Sequence, residues 1–296
     1  MRMHPFHRTE LLVGRDGFAT LQQASVCVIG LGGVGSYAAE ALARAGVGHL
    51  TLVDFDDVCI TNLNRQLHAT RRTVGQKKAA LMHERVKAIN PKAEVRALEL
   101  FYSRKTHDEI LDRPFDMVLD CIDNMTAKIF LLGRCVTQGL PVISAMGAGG
   151  RLDPTRVQIT DISQTHTDPF ARIVRENLRV LGIESGVRCV WTDEPLAELD
   201  PEAQAAFRCI CPNRNQNDVH SCEHRMQIQG SCSWMPPIFG LTMAGAAVNT
   251  LLGRELRGRP SPSKGHKQSP SKGKPTPERR RALLEQAGFG RGAEER

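Results

Sequence analysis

A glycine-rich segment, Gly30-Leu31-Gly32-Gly33-Val34-Gly35, follows an apolar run and precedes an alanine-rich helical pattern. Glycine allows a tight turn and a close approach to phosphate, and the N–H groups that begin a helix attract anions. Asp54 ends the next apolar run, at the distance of about 20 residues where an acidic side chain bonds ribose hydroxyls. This spacing predicts a nucleotide site formed by Gly30, Gly32, Gly33, Gly35 and Asp54.

Amide and charged side chains follow Asp54, and they are Asp56, Asn62, Arg65, Gln66 and Lys78. A nicotinamide oxidoreductase has no use for these cations and amides. Adenylyl transfer does, because negative charge builds on the α-phosphate as a carboxylate attacks it. Taken singly, Arg65 or Lys78 would be a solvated surface charge. Together they favour ATP as the nucleotide, with a nicotinamide-dependent enzyme as the weaker alternative.

A carboxylate for Mg²⁺ is expected at the end of a further strand, where open α/β sheets bind ligands. The segment Asp120-Cys121-Ile122-Asp123-Asn124 lies there. Asp120 is also suited to capping the helix that follows. The pattern predicts that Asp123 holds Mg²⁺ and that Asn124 lies beside the nucleotide.

The elements that must position these residues alternate between strand and helix. Predicted strands cover 25–29, 50–54, 94–100, 117–120, 142–145, 157–162 and 189–192, and predicted helices cover 34–45, 77–89, 128–138, 169–181 and 237–252. Such alternation predicts an α/β fold with a doubly wound, mostly parallel sheet. The polar stretch 193–230 has no clear period and is interpreted as an insertion or mobile loop.

The basic excess of the chain lies in its C-terminal segment. The net charge of the 296 residues is +7, and residues 254–296 contain 12 Lys+Arg against 5 Asp+Glu. Rich in Pro, Ser, Lys and Gly, this tail cannot bury a core and is expected to be disordered. It is interpreted either as attracting nucleic acid through counterion release or as a solubilising end.

The cysteine count and the start of the chain favour a cytoplasmic protein. There are 9 cysteines, an odd number, and residues 1–10 contain no apolar run of a signal peptide. The stretch 234–253 is apolar but contains Pro236 and Pro237, so a buried core helix is favoured over a membrane anchor. Association with the mitochondrion is the alternative location.

The ordered motifs GLGGVG, DFDDV, TNLNRQ and DCIDN, with Lys78 at a helix start, resemble the ubiquitin-activating-enzyme-like adenylyltransferases of the ThiF/MoeB/HesA type. The resemblance covers residues 6–253 and implies a Rossmann-like domain that uses ATP and Mg²⁺. It implies that Asp54 binds ribose and that Asn62, Arg65, Gln66 and Lys78 surround the phosphates, with Asp123 on Mg²⁺. Arg8 matches an arginine that reaches the partner subunit's ATP site, which implies a homodimer and a catalytic role for Arg8.

Within that family the chain is most similar to the tRNA threonylcarbamoyladenosine dehydratases, on segments 147–154, 159–162 and 167–170. The resemblance implies a tRNA substrate, adenylation of the carboxylate of its modified adenosine, and closure of that side chain into a ring. The alternative is adenylation of the C-terminus of a ubiquitin-like or sulfur-carrier protein, with a carrier or a cysteine desulfurase as partner. The chain has none of the Cys-x-x-Cys pairs with which carrier-activating relatives hold zinc, which counts against that alternative.

The cysteines leave two questions open. Cys209, Cys211, Cys222 and His224, with His220 nearby, could form an unusual zinc site or a cysteine-rich loop without metal. Cys232 and Cys189 are the candidate nucleophiles. For Cys189 a buried small apolar residue on a strand is favoured, because ring closure within one molecule needs no covalent enzyme intermediate.

Overall fold

In a computed structural model of the protein, described for residues 4–206 and 230–256, seven strands form one sheet. They are β1 (Ser25–Ile29), β2 (His49–Val53), β3 (Glu94–Leu98), β4 (Met117–Asp120), β5 (Val142–Ala145), β6 (Val157–Asp161) and β7 (Arg188–Thr192). Their order is β3-β2-β1-β4-β5-β7-β6. Every neighbouring pair is parallel except β6 and β7. The predicted doubly wound, mostly parallel sheet is confirmed.

Helices cover both faces of the sheet and bury its apolar side chains. They are α1 (His7–Gln23), α2 (Gly35–Ala45), α3 (Lys78–Ile89), α4 (His107–Ile110), α5 (Met125–Gln138), α6 (Pro169–Val180), α7 (Pro201–Ala206) and α8 (Met235–Leu251). The core on one face is shared by α2, α3 and α8. The core on the other face is shared by α4, α5 and α6.

The register of the central strands brings the predicted site residues to one edge. Ile29 of β1 lies opposite Val53 of β2 and Asp120 of β4. Because parallel strands end at the same edge, the segments that follow these three strands meet there. Gly30 N donates to Val53 O at 2.8 Å, and Cys121 N donates to Ile29 O at 2.9 Å.

The last helix, α8, is the buried core helix that the sequence favoured. Phe239 and Met243 are fully buried in the core that α8 shares with α2. The two helices approach so closely that a Cβ at Gly240 would lie 2.2 Å from Val34 O. Within the described ranges, no helix is long and apolar enough to cross a membrane.

Several details differ from the expectations or extend them. Helix α4 was not predicted, and neither was α1 in the N-terminal segment, whose helical backbone is interrupted at Gly14. Helix α5 begins at Met125 instead of residue 128. The expected loop 193–230 begins with an anchored segment, in which Ala197 N donates to Gly150 O at 2.8 Å, and continues into α7. Residues 207–229, with the zinc candidates Cys209, Cys211, His220, Cys222 and His224, and residues 257–296 of the tail lie outside the described residues.

Candidate functional site

The glycine-rich loop connects β1 to α2 and accepts glycine alone at two positions. Gly30 has φ of 90°, and a Cβ there would lie 2.7 Å from Cys121 O. A Cβ at Gly35 would lie 1.8 Å from Gly30 O. The loop is therefore wound tightly onto the end of β4, and it leads into the first turn of α2, whose N–H groups have no acceptor within the helix. This geometry suits a phosphate group.

Asp54, directly after β2, ties the glycine loop to the neighbouring strand. Its Oδ2 accepts a hydrogen bond from Leu31 N at 2.6 Å, and its Oδ1 accepts one from Asp56 N at 2.9 Å. Burial raises the pKa of the Asp54 carboxyl, while the positive charge of Lys78 acts to lower it. The carboxyl group is thus held against the glycine loop.

Lys78, the first residue of α3, places a buried ammonium group beside these carboxylates. Its Nζ lies 2.7 Å from Asp56 Oδ2, and only 6% of its side chain is exposed. Burial acts to lower the pKa of Lys78, but the charges of Asp54, Asp56 and Asp123 outweigh burial and raise it. Lys78 therefore remains charged at neutral pH, as the neutralisation of a phosphate requires.

Asn62 fixes the turn that carries the next polar residues. It ends a short 3₁₀ helix, Ile60–Asn62, is buried, and accepts a hydrogen bond from Cys59 N through Oδ1 at 3.0 Å. Arg65 N and Gln66 N both donate to Asn62 O, at 3.0 and 2.9 Å. Asn62 thus holds its own turn in addition to the phosphate contact expected of it.

Arg65 and Gln66 lie against the glycine loop. A Cβ at Gly33 would lie 3.3 Å from Arg65 Cγ, and one at Gly32 would lie 3.7 Å from Gln66 Nε2. The Arg65 guanidinium donates from Nη1 to Thr61 O at 2.9 Å and to the Asn64 side chain at 2.8 Å. Gln66 Oε1 is buried and lacks a hydrogen-bond partner in the described part of the chain. A buried amide oxygen without a partner costs free energy, which a ligand's hydroxyl or amino group would recover.

The two aspartates after β4 have different environments. Asp120 is fully buried and lies 2.6 Å from Lys128 Nζ. Asp123 is exposed, and its charge contributes to the raised pKa of Lys78. Asn124 begins α5 by accepting a hydrogen bond from Ala127 N at 3.0 Å. Of the two carboxylates, Asp123 is the one that is open to solvent.

Comparisons with known proteins agree with this geometry. A model of the ThiF family matches residues 6–274. The chain belongs to the ThiF family. It is 44% identical over 250 residues to the tRNA threonylcarbamoyladenosine dehydratase of Bacillus subtilis, covering 84% of this chain and 95% of that protein.

Solved structures of an Escherichia coli protein extend the likeness to the fold of this ThiF-family chain. The tRNA N6-threonylcarbamoyladenosine dehydratase in complex with ATP matches with a TM-score of 0.71 and 33% identity. The same enzyme in complex with AMP matches with a TM-score of 0.72 and 34% identity. Each match covers 84% of this chain and 94% of the solved chain.

Lys128 is a buried charge that the sequence analysis of this ThiF-family member did not identify. Its Nζ donates to Asp120 Oδ2 at 2.6 Å, to Ser144 Oγ at 3.2 Å and to Ala145 O at 3.1 Å. Ser144 Oγ in turn donates to Asp120 Oδ2 at 2.6 Å. The network joins β4, β5 and α5. The available signal was a lysine directly before the apolar run Ile129-Phe130-Leu131-Leu132.

Arg151 and Asp168 form a second buried pair that the sequence did not predict as one. Arg151 Nη2 lies 3.7 Å from Asp168 Oδ1, and both side chains are 1% exposed. Asp168 also begins α6 by accepting hydrogen bonds from Phe170 N and Ala171 N. Burial raises the pKa of the Asp168 carboxyl. The pair, with the hydrogen bond from Gly147 N to Asp168 Oδ2 at 3.2 Å, joins the loop after β5 to the start of α6.

Three further predicted residues have other environments. Arg8 is exposed in the first turn of α1. Cys232 Sγ donates to Arg151 O at 3.4 Å and accepts from Met235 N at 3.4 Å, so it caps the start of α8. Cys189 is fully buried in β7, and burial raises the pKa of its thiol, which disfavours a thiolate nucleophile there.

The buried His68 is expected to make the stability of the ThiF-family domain sensitive to acid. It is buried, neither ring nitrogen has a partner among the described residues, and burial lowers its pKa to about 4, aided by the charges of Lys78 and Arg85. The unfolded chain binds this proton near pH 6.5 and the folded chain only near pH 4, so stability is lost as pH falls through this window. The loss from this group between pH 6.5 and 5 should be roughly 1.5 kcal/mol.

Replacing His68 by leucine should remove that part of the acid sensitivity. Urea unfolding of His68→Leu and of the unmodified protein at pH 7, 6 and 5 measures the slope of the free energy of unfolding for each. A smaller slope in the variant is expected. Equal slopes would show that His68 takes up its proton equally in the folded and unfolded states.

Proposed function

We propose that the protein uses ATP to adenylate the carboxylate of threonylcarbamoyladenosine in tRNA and then releases AMP as the modified side chain closes into a ring. The observation that carries the chemistry is the buried, charged Lys78 beside a loop that fits a phosphate. The substrate follows from the likeness to dehydratases over 84% of the chain.

ATP fits the side chains present at this edge of the sheet. The loop Gly30–Gly35 and the start of α2 would hold the phosphates, and Asp54 would accept from the ribose hydroxyls. The two carboxylate oxygens of Asp54 each have further acceptor capacity beyond the single hydrogen bond they receive. Asn62, Arg65, Gln66 and Lys78 would surround the phosphates, with Asp56 holding Lys78 in place.

Mg²⁺ fits Asp123, because the neighbouring Asp120 is occupied by Lys128 and has no exposed surface. An exposed carboxylate that supplies one ligand, with water and phosphate oxygens as the others, is the usual magnesium arrangement in nucleotide sites. The ion would neutralise charge on the phosphates. Asn124 would lie beside the nucleotide through its position at the start of α5.

The reaction would proceed by two displacements. A carboxylate oxygen of the substrate attacks the α-phosphorus of ATP, the bond to the β-phosphate breaks, and pyrophosphate leaves. Lys78 and Arg65 stabilise the charge that develops on the α-phosphate oxygens, where fixed cations act most strongly. The carbamoyl group of the modified side chain then attacks the activated carbonyl carbon and releases one N–H proton to solvent. The bond between that carbon and the oxygen shared with AMP breaks, and AMP departs with one carboxylate oxygen. A free carboxylate is a poor acceptor, so this activation is what makes ring closure feasible.

A homodimer would complete the site. Arg8 is exposed at the start of α1, and we propose that it reaches the ATP phosphates of a second copy. In that position it would add a further cation to those of Arg65 and Lys78. Arg guanidinium groups bind phosphate oxygens through two parallel hydrogen bonds, which favours this role.

The test is mass analysis of nucleosides from tRNA containing threonylcarbamoyladenosine, incubated with the purified protein with and without ATP. Loss of one water from that nucleoside only when ATP is present is the expected result. An unchanged nucleoside, together with ATP–pyrophosphate exchange that requires an added sulfur-carrier protein, would overturn the proposal in favour of carrier activation.

A further inference from the structure

Trp234 presents a large aromatic surface at the margin of the site. It lies immediately before α8, and 42% of the residue is exposed. Its Nε1 donates to Leu152 O at 2.8 Å. Indole has this single hydrogen-bond donor, so the exposed remainder of the ring offers only apolar and π contacts. An exposed tryptophan whose donor is already satisfied is suited to stacking against a flat ligand.

The backbone that holds Trp234 is fixed on both sides. The Glu194 carboxylate accepts hydrogen bonds from Leu152 N at 2.9 Å and from Asp153 N at 3.0 Å. Cys232 Sγ joins the turn before Trp234 to Arg151 O and Met235 N. A side chain already held in one orientation loses little conformational entropy when a ligand binds. The indole ring of Trp234 is therefore held in one orientation before a ligand binds.

The position of Trp234 places it next to the nucleotide loop. Pro236, two residues further on, packs so closely that a Cβ at Gly33 would lie 2.9 Å from Pro236 Cβ. On the other side, Asn64 Nδ2 donates to Ser231 O at 2.9 Å, which joins the Arg65 turn to the segment that carries Trp234. A group bound on Trp234 would therefore neighbour a substrate carboxylate held at the α-phosphate.

We propose that Trp234 is a stacking site for an unpaired base of the RNA substrate, close to the modified adenosine. This inference rests on the proposed function, which makes RNA the substrate. Single-stranded RNA is bound by stacking its bases on aromatic side chains, and each stacked base contributes about 1–3 kcal/mol. The basic tail supplies charge but only one aromatic residue, Phe289. The tail would thus supply electrostatic attraction to the RNA, and Trp234 would supply the contact with a base.

The intrinsic tryptophan fluorescence of the protein reports ligand binding at Trp234 separately from the other tryptophan. The chain has 2 tryptophans, and the other, Trp191, is 1% exposed. The probe is an anticodon stem–loop RNA carrying threonylcarbamoyladenosine. Acrylamide should quench the emission of Trp234 in the free protein, and the RNA should quench that same emission. Trp234→Phe should remove the quenching by RNA, because the buried Trp191 does not contact the ligand.

Affinity provides the second readout. Trp234→Ala should weaken RNA binding by about 5-fold or more, and Trp234→Phe, which keeps a ring, should weaken it less. In turnover, KM for RNA should rise by more than kcat falls. Ile173→Ala is the matched control, because Ile173 is 41% exposed but lies on α6, whose core is on the other face of the sheet. That variant should bind RNA as the unmodified protein does.

Two outcomes would overturn the proposal. One is unchanged RNA affinity in Trp234→Ala while the unmodified protein still dehydrates the nucleoside. The other is an emission from Trp234 that acrylamide cannot quench in the free dimer, which would show that a second copy covers it. If the unmodified protein leaves the nucleoside unchanged, the proposed function fails. Quenching by RNA and the affinity of Trp234→Ala still decide whether Trp234 binds a base.

Discussion

Replacing Lys78 by methionine is expected to lower turnover by about 10²- to 10³-fold, the loss seen when one fixed charge-stabilising group is removed from a transition state. The structure supplies the reason, since Lys78 is buried, is kept charged by three carboxylates, and lies beside the glycine loop. The measurement is the rate of nucleoside dehydration at saturating ATP and RNA. The thermal unfolding of Lys78→Met must also be compared with that of the unmodified protein. Removing the Lys78 ammonium group leaves Asp54 and Asp56 without their cation.

Two controls separate chemistry from stability at Lys78. Lys77→Met removes the adjacent lysine, which is 41% exposed and pairs with Asp57 at 2.9 Å, and it should keep most of the turnover. Lys78→Met combined with Asp56→Asn should regain part of the lost folding stability without regaining turnover, because one of the two carboxylates left without a cation is gone. A single Lys78→Met variant that turns over at the unmodified rate would contradict the phosphate role.

Replacing Lys128 by methionine is expected to destabilise the fold by about 3–5 kcal/mol, the usual cost of removing one partner from a buried ion pair. Lys128 and Asp120 are both fully buried, 2.6 Å apart. The variant would leave the Asp120 carboxylate in the core with hydrogen bonds from Ser144 Oγ and Ile122 N but without its cation. Equilibrium unfolding in urea measures the change in the free energy of unfolding.

The matched control for Lys128→Met is Lys92→Met, which replaces an exposed lysine before β3. Its free energy of unfolding should change by no more than about 0.5 kcal/mol. Lys128→Met with Asp120→Asn should recover much of the lost stability, because no charge then remains buried. A single Lys128→Met variant as stable as the unmodified protein would show that the pair contributes nothing to folding.

The sequence predicted the local elements of this fold well, because apolar runs and glycine spacing are local signals. Strand β1, the glycine loop and Asp54 lie where the pattern placed them. Helix α1 was missed since only Phe18 and Leu21 along it are buried and Gly14 interrupts its helical backbone. An apolar period of 3.6 residues cannot be read from so few buried positions.

The buried charge pairs could not be predicted, because the two members of each pair lie on different elements of the fold. Lys128 was interpreted only as the first residue of a helix, and its pairing with Asp120 in the core was missed. Arg151 meets Asp168 only because the loop after β5 folds onto the start of α6. Such pairs depend on the packing of strands and helices, which local spacing does not encode. The order that places β7 between β5 and β6 has the same origin.

Oxygen-18 in the substrate carboxylate tests carboxylate adenylation most directly. Stem–loop RNA whose threonylcarbamoyladenosine carries the label is incubated with the protein and unlabelled ATP. The masses of the nucleotide products and of inorganic phosphate are then measured by mass spectrometry. If the carboxylate is adenylated and AMP departs on ring closure, AMP appears in step with the dehydrated nucleoside and contains one labelled oxygen. Formation of ADP with the label in inorganic phosphate would mean that the carboxylate attacks the γ-phosphate, and this result would contradict adenylyl transfer at this site.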